Sequence, residues 1–166
     1  MCKTTGEHRF MIKINLYCVG TIKEKFKKEE IAEYLKRLSK YAQINIIETK
    51  ECVVQNKPID FVLNEEGDNI LKKIKDGEVL ILSDLHGEEM TSEEFASVLE
   101  KLINQGKSPI NFAIGGTMGV SSTLRERSNY KICLSKLTFT HQMTRAILLE
   151  QIYRAFKIIN NENYHH

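Results

Sequence analysis

The chain alternates between short apolar runs and longer segments in which apolar residues recur at helical spacing. Residues 12–19 read Ile-Lys-Ile-Asn-Leu-Tyr-Cys-Val and stop at Gly20, a pattern that predicts a β-strand. Residues 28–41 carry Ile31, Leu35 and Leu38 on one face, which predicts an amphipathic helix. Similar patterns predict further strands at 44–49, 78–82, 109–114 and 130–134. They also predict helices at 59–75, with or without an interruption near Gly67, and at 141–160. Two more helices are expected, one capped by Thr91 or Ser92 and ending at Gly106, and a short one capped by Ser121 or Ser122 and ending at Arg127.

Strands and helices alternate along the chain, and the later strands are apolar without a polar face. This arrangement predicts an α/β fold with a parallel sheet that is covered on both sides. Ligands bind such sheets beyond the carboxyl ends of the strands. Here the strand ends lead into residues 83–87, 115–119 and 134–139, so we expect one pocket where these three segments meet.

The composition is that of one ordinary globular domain. The chain has 166 residues, of which 42% are hydrophobic and 28% charged. Its apolar runs are far shorter than the about 20 residues that span a bilayer, and residues 1–10 lack the apolar centre of a signal peptide. We therefore expect a cytoplasmic protein that makes no membrane contact. Because Met11 directly precedes the first strand, residues 1–10 are expected to be an extension outside a single domain of residues 11–166.

Cysteines and charges narrow the choice of sites. The four cysteines are far apart in the sequence, which argues against a zinc site and against a disulfide framework, so no metal is expected. The net charge of +2 is too small to indicate nucleic-acid binding by itself. Seven basic residues fall within 23–40, interspersed with glutamates. That segment fits either a solvated helix face or a surface for an RNA backbone.

The strongest functional signal begins at the stretch Ala113-Ile114-Gly115-Gly116-Thr117-Met118-Gly119, an apolar strand that ends in paired glycines. Glycine lets the backbone turn tightly and lets a ligand approach amide groups that a Cβ would shield. Alone, the pattern fits a plain connection between a strand and a helix equally well. A Rossmann dinucleotide site is disfavoured, because the motif lies late in the chain without the usual spacing and downstream acid.

Longer motifs accompany these glycines in a fixed order. They are Ile114-Gly115-Gly116-x-x-Gly119, Arg127-Ser128-Asn129-Tyr130, Leu134-Ser135-Lys136-Leu137-Thr138-Phe139-x-His141-Gln142-Met143-x-Arg145, Glu150-Gln151-x-Tyr153-Arg154-Ala155-Phe156-Lys157-Ile158, and a final Tyr164-His165. Through these motifs and their order, the chain resembles the RlmH family, the ribosomal RNA large-subunit methyltransferases H of the SPOUT superfamily. The similarity runs from Met11 to His166. One departure is Thr140, which stands where the family usually has proline.

The resemblance implies a parallel-sheet SPOUT fold with a C-terminal trefoil knot, a topology that sequence pattern alone does not yield. It also implies a homodimer packed through the knot region and S-adenosylmethionine as the methyl donor. The acceptor it implies is N3 of a pseudouridine in 23S rRNA, methylated within the assembled ribosome.

The resemblance also assigns roles to particular residues. Those expected to hold the donor are Ser83, Gly115, Leu134, Ser135, Lys136, Leu137, Thr138 and Phe139. Lys136 fits a solvent-facing or structural position equally well. Arg145 is expected to grip substrate through paired donors; its alternative is to pair with Glu150 or to cap a neighbouring segment. Tyr164 is expected to stack on a base and His165 to accept or orient a proton, at a site completed by the partner subunit.

Two other functions stay open at this point. One is an RNA- or nucleotide-binding module that kept the fold and lost catalysis. The other is a flavodoxin-like nucleotide-binding enzyme with an unknotted sheet.

Overall fold

A computed structural model describes residues 11–164, which form five strands and five helices in alternation. The expectations for residues 1–10 and for His165 lie outside these described residues. The strands are β1 (Ile12–Val19), β2 (Ala42–Thr49), β3 (Val79–Glu89), β4 (Ile110–Ile114) and β5 (Tyr130–Cys133). The helices are α1 (Lys25–Leu38), α2 (Ile59–Leu71), α3 (Ser92–Asn104), α4 (Ser122–Arg127) and α5 (His141–Ile159).

The strands form one sheet in the order β2-β1-β4-β3-β5, and every neighbouring pair is parallel. A row of three asparagines fixes the register of β2, β1 and β4. Asn45 donates to Asn15 and Asn15 donates to Asn111, each at 3.0 Å. Asn111 completes the row by donating to the carbonyl of Val79 on β3 at 3.1 Å. Since one residue of slip would unpair these amides, the row favours a single alignment of four strands.

Helices cover both faces of the sheet, as the apolar strands predict. The cluster on one face joins β1, β4 and β3 to α1, α3 and α5. A smaller cluster on the other face includes Tyr17, Leu82, Ala113 and Leu124, and it is covered by α2 and α4. The α/β class and the parallel sheet are therefore confirmed. Between residues 11 and 164 the structure has no helix that is both long enough and apolar enough to cross a bilayer.

The largest difference from the sequence prediction is at β3. Residues 83–87 were expected to be a loop after the strand, but β3 continues to Glu89. Its pairing with β5 shifts between Ser83 and Glu88, so both residues oppose Ile132. A Cβ at Gly87 would lie 2.7 Å from the backbone of Ile132, so a glycine is what lets the irregular strand pass this close. The strand thus bulges at the edge of the predicted pocket.

Smaller differences concern helices. α1 begins at Lys25 rather than at residue 28, and it ends at Leu38. α2 runs unbroken through Gly67, which is buried where a Cβ would overlap the Ser121 hydroxyl. This glycine therefore serves close packing of α2 against the start of α4 rather than a break in the helix. The predicted capping box is confirmed, with Thr91 and Glu94 each accepting from the other's backbone N–H.

Candidate functional site

A cavity of about 900 Å³ lies at the carboxyl ends of β4 and β5, beside the bulge of β3. Three segments line it: residues 83–86, residues 114–120, and the segment from Leu134 into the first turn of α5. The expected meeting of these three segments in one pocket is therefore confirmed, although residues 83–86 belong to β3 rather than to a loop after it. Seven of the eight residues expected to hold the donor line this cavity; they are Ser83, Gly115, Leu134, Ser135, Leu137, Thr138 and Phe139.

The eighth residue, Lys136, lies differently. Its side chain is 81% exposed, and its ammonium group lies 3.3 Å from the carboxylate of Glu89. Of the two positions that the sequence left open, the structure has the solvent-facing one. An exposed pair of this kind contributes little to stability, so Lys136 is free to exchange partners.

The glycine loop after β4 is shaped by two close approaches. The chain folds back on itself so that Gly119 donates its N–H to the carbonyl of Gly116 at 3.1 Å, with Gly119 at φ +106°. A Cβ at Gly115 would overlap the carbonyl oxygen of Gly119, and one at Gly116 would lie 2.6 Å from the carboxylate of Glu66. Gly115 therefore requires glycine, whereas a side chain at Gly116 would have to displace the Glu66 carboxylate. The two glycines expose their backbone in the cavity wall.

The segment from Leu134 to Thr140 forms the opposite wall and leads into α5. Ser135 accepts the N–H of Leu137 through its hydroxyl at 3.0 Å, which folds this segment locally. Thr140 caps α5, since its hydroxyl accepts the N–H of Met143 at 3.3 Å. Its φ of −62° is also one that proline would adopt. The threonine thus replaces a rigid ring with a hydrogen-bonded cap.

One ion pair lies in the cavity wall. Asp84 is buried, and the guanidinium of Arg125 donates to it through Nε at 2.7 Å and Nη2 at 3.3 Å. Burial pushes the pKa of Asp84 upward, but the hydrogen bonds from Arg125 and from the N–H of His86 outweigh it, so the pKa lies below its ordinary value. Asp84 is therefore ionised at neutral pH. Sequence reasoning missed both members of this pair, and only the position of Asp84 directly after Ser83 hinted at it.

His141 lies in the same wall at the start of α5. Burial is the main cause that lowers its pKa, and the charge on Arg145 adds to the effect, while Glu51 opposes it. The imidazole is thus neutral at pH 7 and has one nitrogen able to accept a hydrogen bond.

Arg145 differs from its expected position. Its side chain is 1% exposed and does not line the cavity. Nη1 donates to the carboxylate of Glu48 at 2.6 Å, and Nη2 donates to the carbonyls of Gly20 at 2.6 Å and Val19 at 3.3 Å. The guanidinium therefore ties α5 to the ends of β1 and β2, and its partner is Glu48 rather than Glu150.

Tyr164 packs against the middle of α5, away from the cavity of its own chain. Its hydroxyl lies 3.2 Å from a carboxylate oxygen of Glu150, and the guanidinium of Arg154 stacks 3.8 Å above its ring. The cavity contacts α5 at residues 141–144, whereas Tyr164 contacts it at Glu150 and Arg154, which lie six and ten residues after Thr144. At about 1.5 Å per residue this is a distance of roughly 9–15 Å along the helix.

Comparison with known proteins decides the family. The family described as "Predicted SPOUT methyltransferase" matches residues 12–165. The chain belongs to the SPOUT methyltransferase family. Among solved structures, this SPOUT methyltransferase is 11% identical to an A. aeolicus TrmH/SpoU tRNA modifying enzyme, over 89% of this chain and 77% of that one, with a TM-score of 0.45. That likeness is too distant to bear on function.

Curated relatives match over almost their whole length. Three proteins named "Ribosomal RNA large subunit methyltransferase H" illustrate the range. The one from Ruminiclostridium cellulolyticum is 44% identical over 161 residues, 93% of this chain and 99% of the relative. The relative from Desulforamulus reducens is 46% identical over 93% of this chain and 99% of the relative. The relative from Clostridium botulinum strain Langeland is 49% identical over 92% of this chain and 98% of the relative. This SPOUT methyltransferase is thus also a member of that narrower family, as its motifs indicated.

Proposed function

We propose that this chain is an S-adenosylmethionine-dependent methyltransferase that modifies N3 of a pseudouridine in 23S rRNA of the large ribosomal subunit. The observation that carries the proposal is the cavity formed by residues 83–86, the glycine loop and residues 134–144, in a chain that is 44–49% identical to ribosomal RNA large subunit methyltransferases H. The fold proposed with it is the SPOUT sheet with a C-terminal trefoil knot, for which family membership is the support.

The cavity fits the donor chemically. At Gly115 a Cβ would overlap the Gly119 carbonyl, so the loop closes in this shape only with glycine, and we propose that its backbone groups face an adenine edge. The donor also carries an ammonium and a carboxylate on its amino-acid end, and the wall offers the oppositely charged pair Asp84 and Arg125. Ser83, Gly115 and residues 134–139 are proposed to hold the adenosyl part. When bound, the donor supplies a methyl group activated by the positive charge on sulfur.

The protein must then position the base and remove its N3 proton. That proton is too weakly acidic to leave unaided near neutral pH, so a general base is required. We keep His165 in that role and Tyr164 as the stacking group, with Glu150 and Arg154 orienting the tyrosine. Arg145 is proposed as a positioning residue, because its Nη1 and Nη2 are bound to Glu48 and to two carbonyls of its own chain.

The proposed site needs two copies of the chain. Tyr164 contacts α5 roughly 9–15 Å along the helix from the cavity, and it does not line the cavity of its own chain. Around the cavity mouth, large apolar side chains are exposed, with Leu137 the most open at 74%. The others are Leu85, Met118, Phe139 and Met143. Such a patch is typical of an interface, and we propose that it packs against a second protomer whose C-terminal tail reaches the cavity.

The oligomeric state can be measured directly. Light scattering after size exclusion is expected to give about twice the chain mass of 19.2 kDa. Leu137→Asp is expected to give the single-chain mass, because a buried unpaired carboxylate destabilises an apolar interface. Lys136→Asp changes the neighbouring exposed residue and serves as the control. A wild-type particle of single-chain mass at micromolar concentration would contradict the dimer.

The activity is tested by methyl transfer from labelled S-adenosylmethionine to ribosomes that lack the modification. We expect labelled N3-methylpseudouridine in 23S rRNA from assembled ribosomes and far less from naked 23S rRNA. His165→Ala is expected to abolish transfer while the dimer and donor binding persist. Donor binding without transfer to either RNA would instead favour the inactive binding module.

A further inference from the structure

A buried carboxylate lies outside the cavity wall and has one oxygen without a partner. Glu66 on α2 is only 4% exposed. Its Oε1 accepts the backbone N–H of Cys52 at 3.0 Å. Its Oε2 is buried and has no hydrogen-bond partner among residues 11–164. An ionised buried carboxylate without a partner is costly, so a positive charge that arrives with a ligand would stabilise it.

The unpaired oxygen lies directly behind the glycine loop of the cavity. A Cβ at Gly116 would lie 2.6 Å from Oε2, so the carboxylate touches the place that any other side chain would occupy. Gly116 itself lines the cavity. Only the thickness of a glycine backbone therefore separates this carboxylate from the proposed donor. Gly67, the next residue, permits the close packing of α2 on Ser121 that holds Glu66 there.

The neighbouring charged groups do not neutralise the Glu66 carboxylate. Burial is the main cause that raises its pKa, the N–H of Cys52 lowers it, and the neighbouring acids Glu51 and Glu65 raise it further. The thiol of Cys52 donates to the carboxylate of Glu65. Glu51 and His141 both lie close to Gly20. No Lys or Arg in the described part of the chain forms an ion pair with Glu66.

We propose that Glu66 is the countercharge for the sulfonium of the methyl donor and acts on it through the backbone of Gly116. The inference rests on the proposed location of the donor in this cavity. Among the ligands of a methyltransferase, the donor carries a positive charge on sulfur, whereas the product S-adenosylhomocysteine has a neutral thioether. The two ligands are otherwise alike. A carboxylate behind the loop therefore favours the donor over the product and helps the spent product leave.

The size of the effect follows from Coulomb's law. Two unit charges on the order of 10 Å apart, in a medium with an effective dielectric constant of about 20, change an affinity by about tenfold. The effect requires the ionised carboxylate. Because the pKa of free Glu66 is raised, the preference for the donor is expected to grow as pH rises through that pKa and to fade below it.

The test compares donor and product by calorimetry at pH 7.5. In the wild-type dimer, the dissociation constant of S-adenosylhomocysteine divided by that of S-adenosylmethionine isolates the charge on sulfur. Glu66→Gln is expected to lower this ratio about tenfold, mainly by weakening the donor. Asp68→Asn removes the same charge from an exposed position on α2 and is expected to leave the ratio within twofold. An unchanged ratio in Glu66→Gln would overturn the countercharge.

A second measurement needs no variant. Titrating the wild-type protein in buffers of different ionisation enthalpy gives the number of protons released on binding. At pH values around the raised pKa of free Glu66, the donor is expected to release more protons than the product, because the sulfonium favours the ionised Glu66. Equal proton release for both ligands across this range would refute the proposal.

The location of the donor is checked separately with Gly115→Val, which disrupts the glycine loop by pressing on the Gly119 carbonyl. If this change abolishes the binding of both ligands while Glu66→Gln leaves their ratio unchanged, only the countercharge fails. If Gly115→Val leaves the affinity for the donor intact, the donor binds elsewhere and both proposals fail.

Discussion

Replacing Arg145 by methionine distinguishes a structural arginine from one that touches substrate. Methionine roughly retains the volume of the side chain and removes every donor. The carbonyls of Val19 and Gly20 would then be buried without partners, each at a cost of about 1–2 kcal/mol. The ion pair with Glu48 adds less than about 1 kcal/mol, because that carboxylate is 38% exposed and is screened by solvent. We expect the free energy of unfolding to fall by about 3 kcal/mol.

The assay is urea unfolding followed by circular dichroism at one fixed protein concentration, since association contributes to the stability of a dimer. Glu48→Gln is the matched comparison. It leaves both carbonyl bonds in place and is expected to lower the free energy of unfolding by less than about 1 kcal/mol. If Arg145→Met unfolds within about 0.5 kcal/mol of wild type and yet loses methyl transfer, the guanidinium acts on substrate and its structural role is refuted.

Three further measurements test the site and the buried core: two on variants and one on the unaltered protein. Gly115→Ala would press a Cβ against the Gly119 carbonyl, so we expect calorimetry to give a donor affinity about tenfold lower; an unchanged affinity would contradict the tight loop. Asp84→Asn is expected to lower the free energy of unfolding by about 1 kcal/mol at pH 7, as Arg125 is partly exposed. Because the pKa of Asp84 is depressed, its contribution is present above the unfolded-state value of about 3.9 and is lost as pH falls through the folded-state value. Urea unfolding of both proteins from pH 7 to 3 should show the difference shrink, and a constant difference would argue against ionisation of Asp84. Burial raises the pKa of Cys18 to about 12, so mass spectrometry should find this thiol unmodified by iodoacetamide at pH 8 until the protein unfolds; alkylation at the rate of a free thiol would refute its burial.

The order of elements could be predicted from the sequence because hydrophobic periodicity depends on local geometry. β1 has the predicted bounds, and the cap at Thr91 lies where the Thr-x-x-Glu spacing indicated. The extension of β3 to Glu89 could not be predicted, since polar residues from Ser83 onward read as a loop. Their pairing with β5 depends on the close approach that Gly87 permits, which is a tertiary contact without a local signal.

The same limit applies to charged residues. Arg145 and Arg125 both lie in helical segments, and the motif directed attention to the first; the structure brings the second to the cavity. The two arginines differ in burial. Arg145 is buried and donates to Glu48 and two backbone carbonyls, whereas Arg125 is partly exposed and lines the cavity. Glu66 is the reverse case, an acid in a run of polar helix residues that reads as solvated but is buried behind a glycine. A sequence gives the charge of each side chain, but its chemistry depends on which backbone atoms and counterions the fold brings within about 3 Å of it. For Glu66, it is the lack of a partner for Oε2 among the described residues and the nearby cavity, both visible only in the fold, that indicate a role.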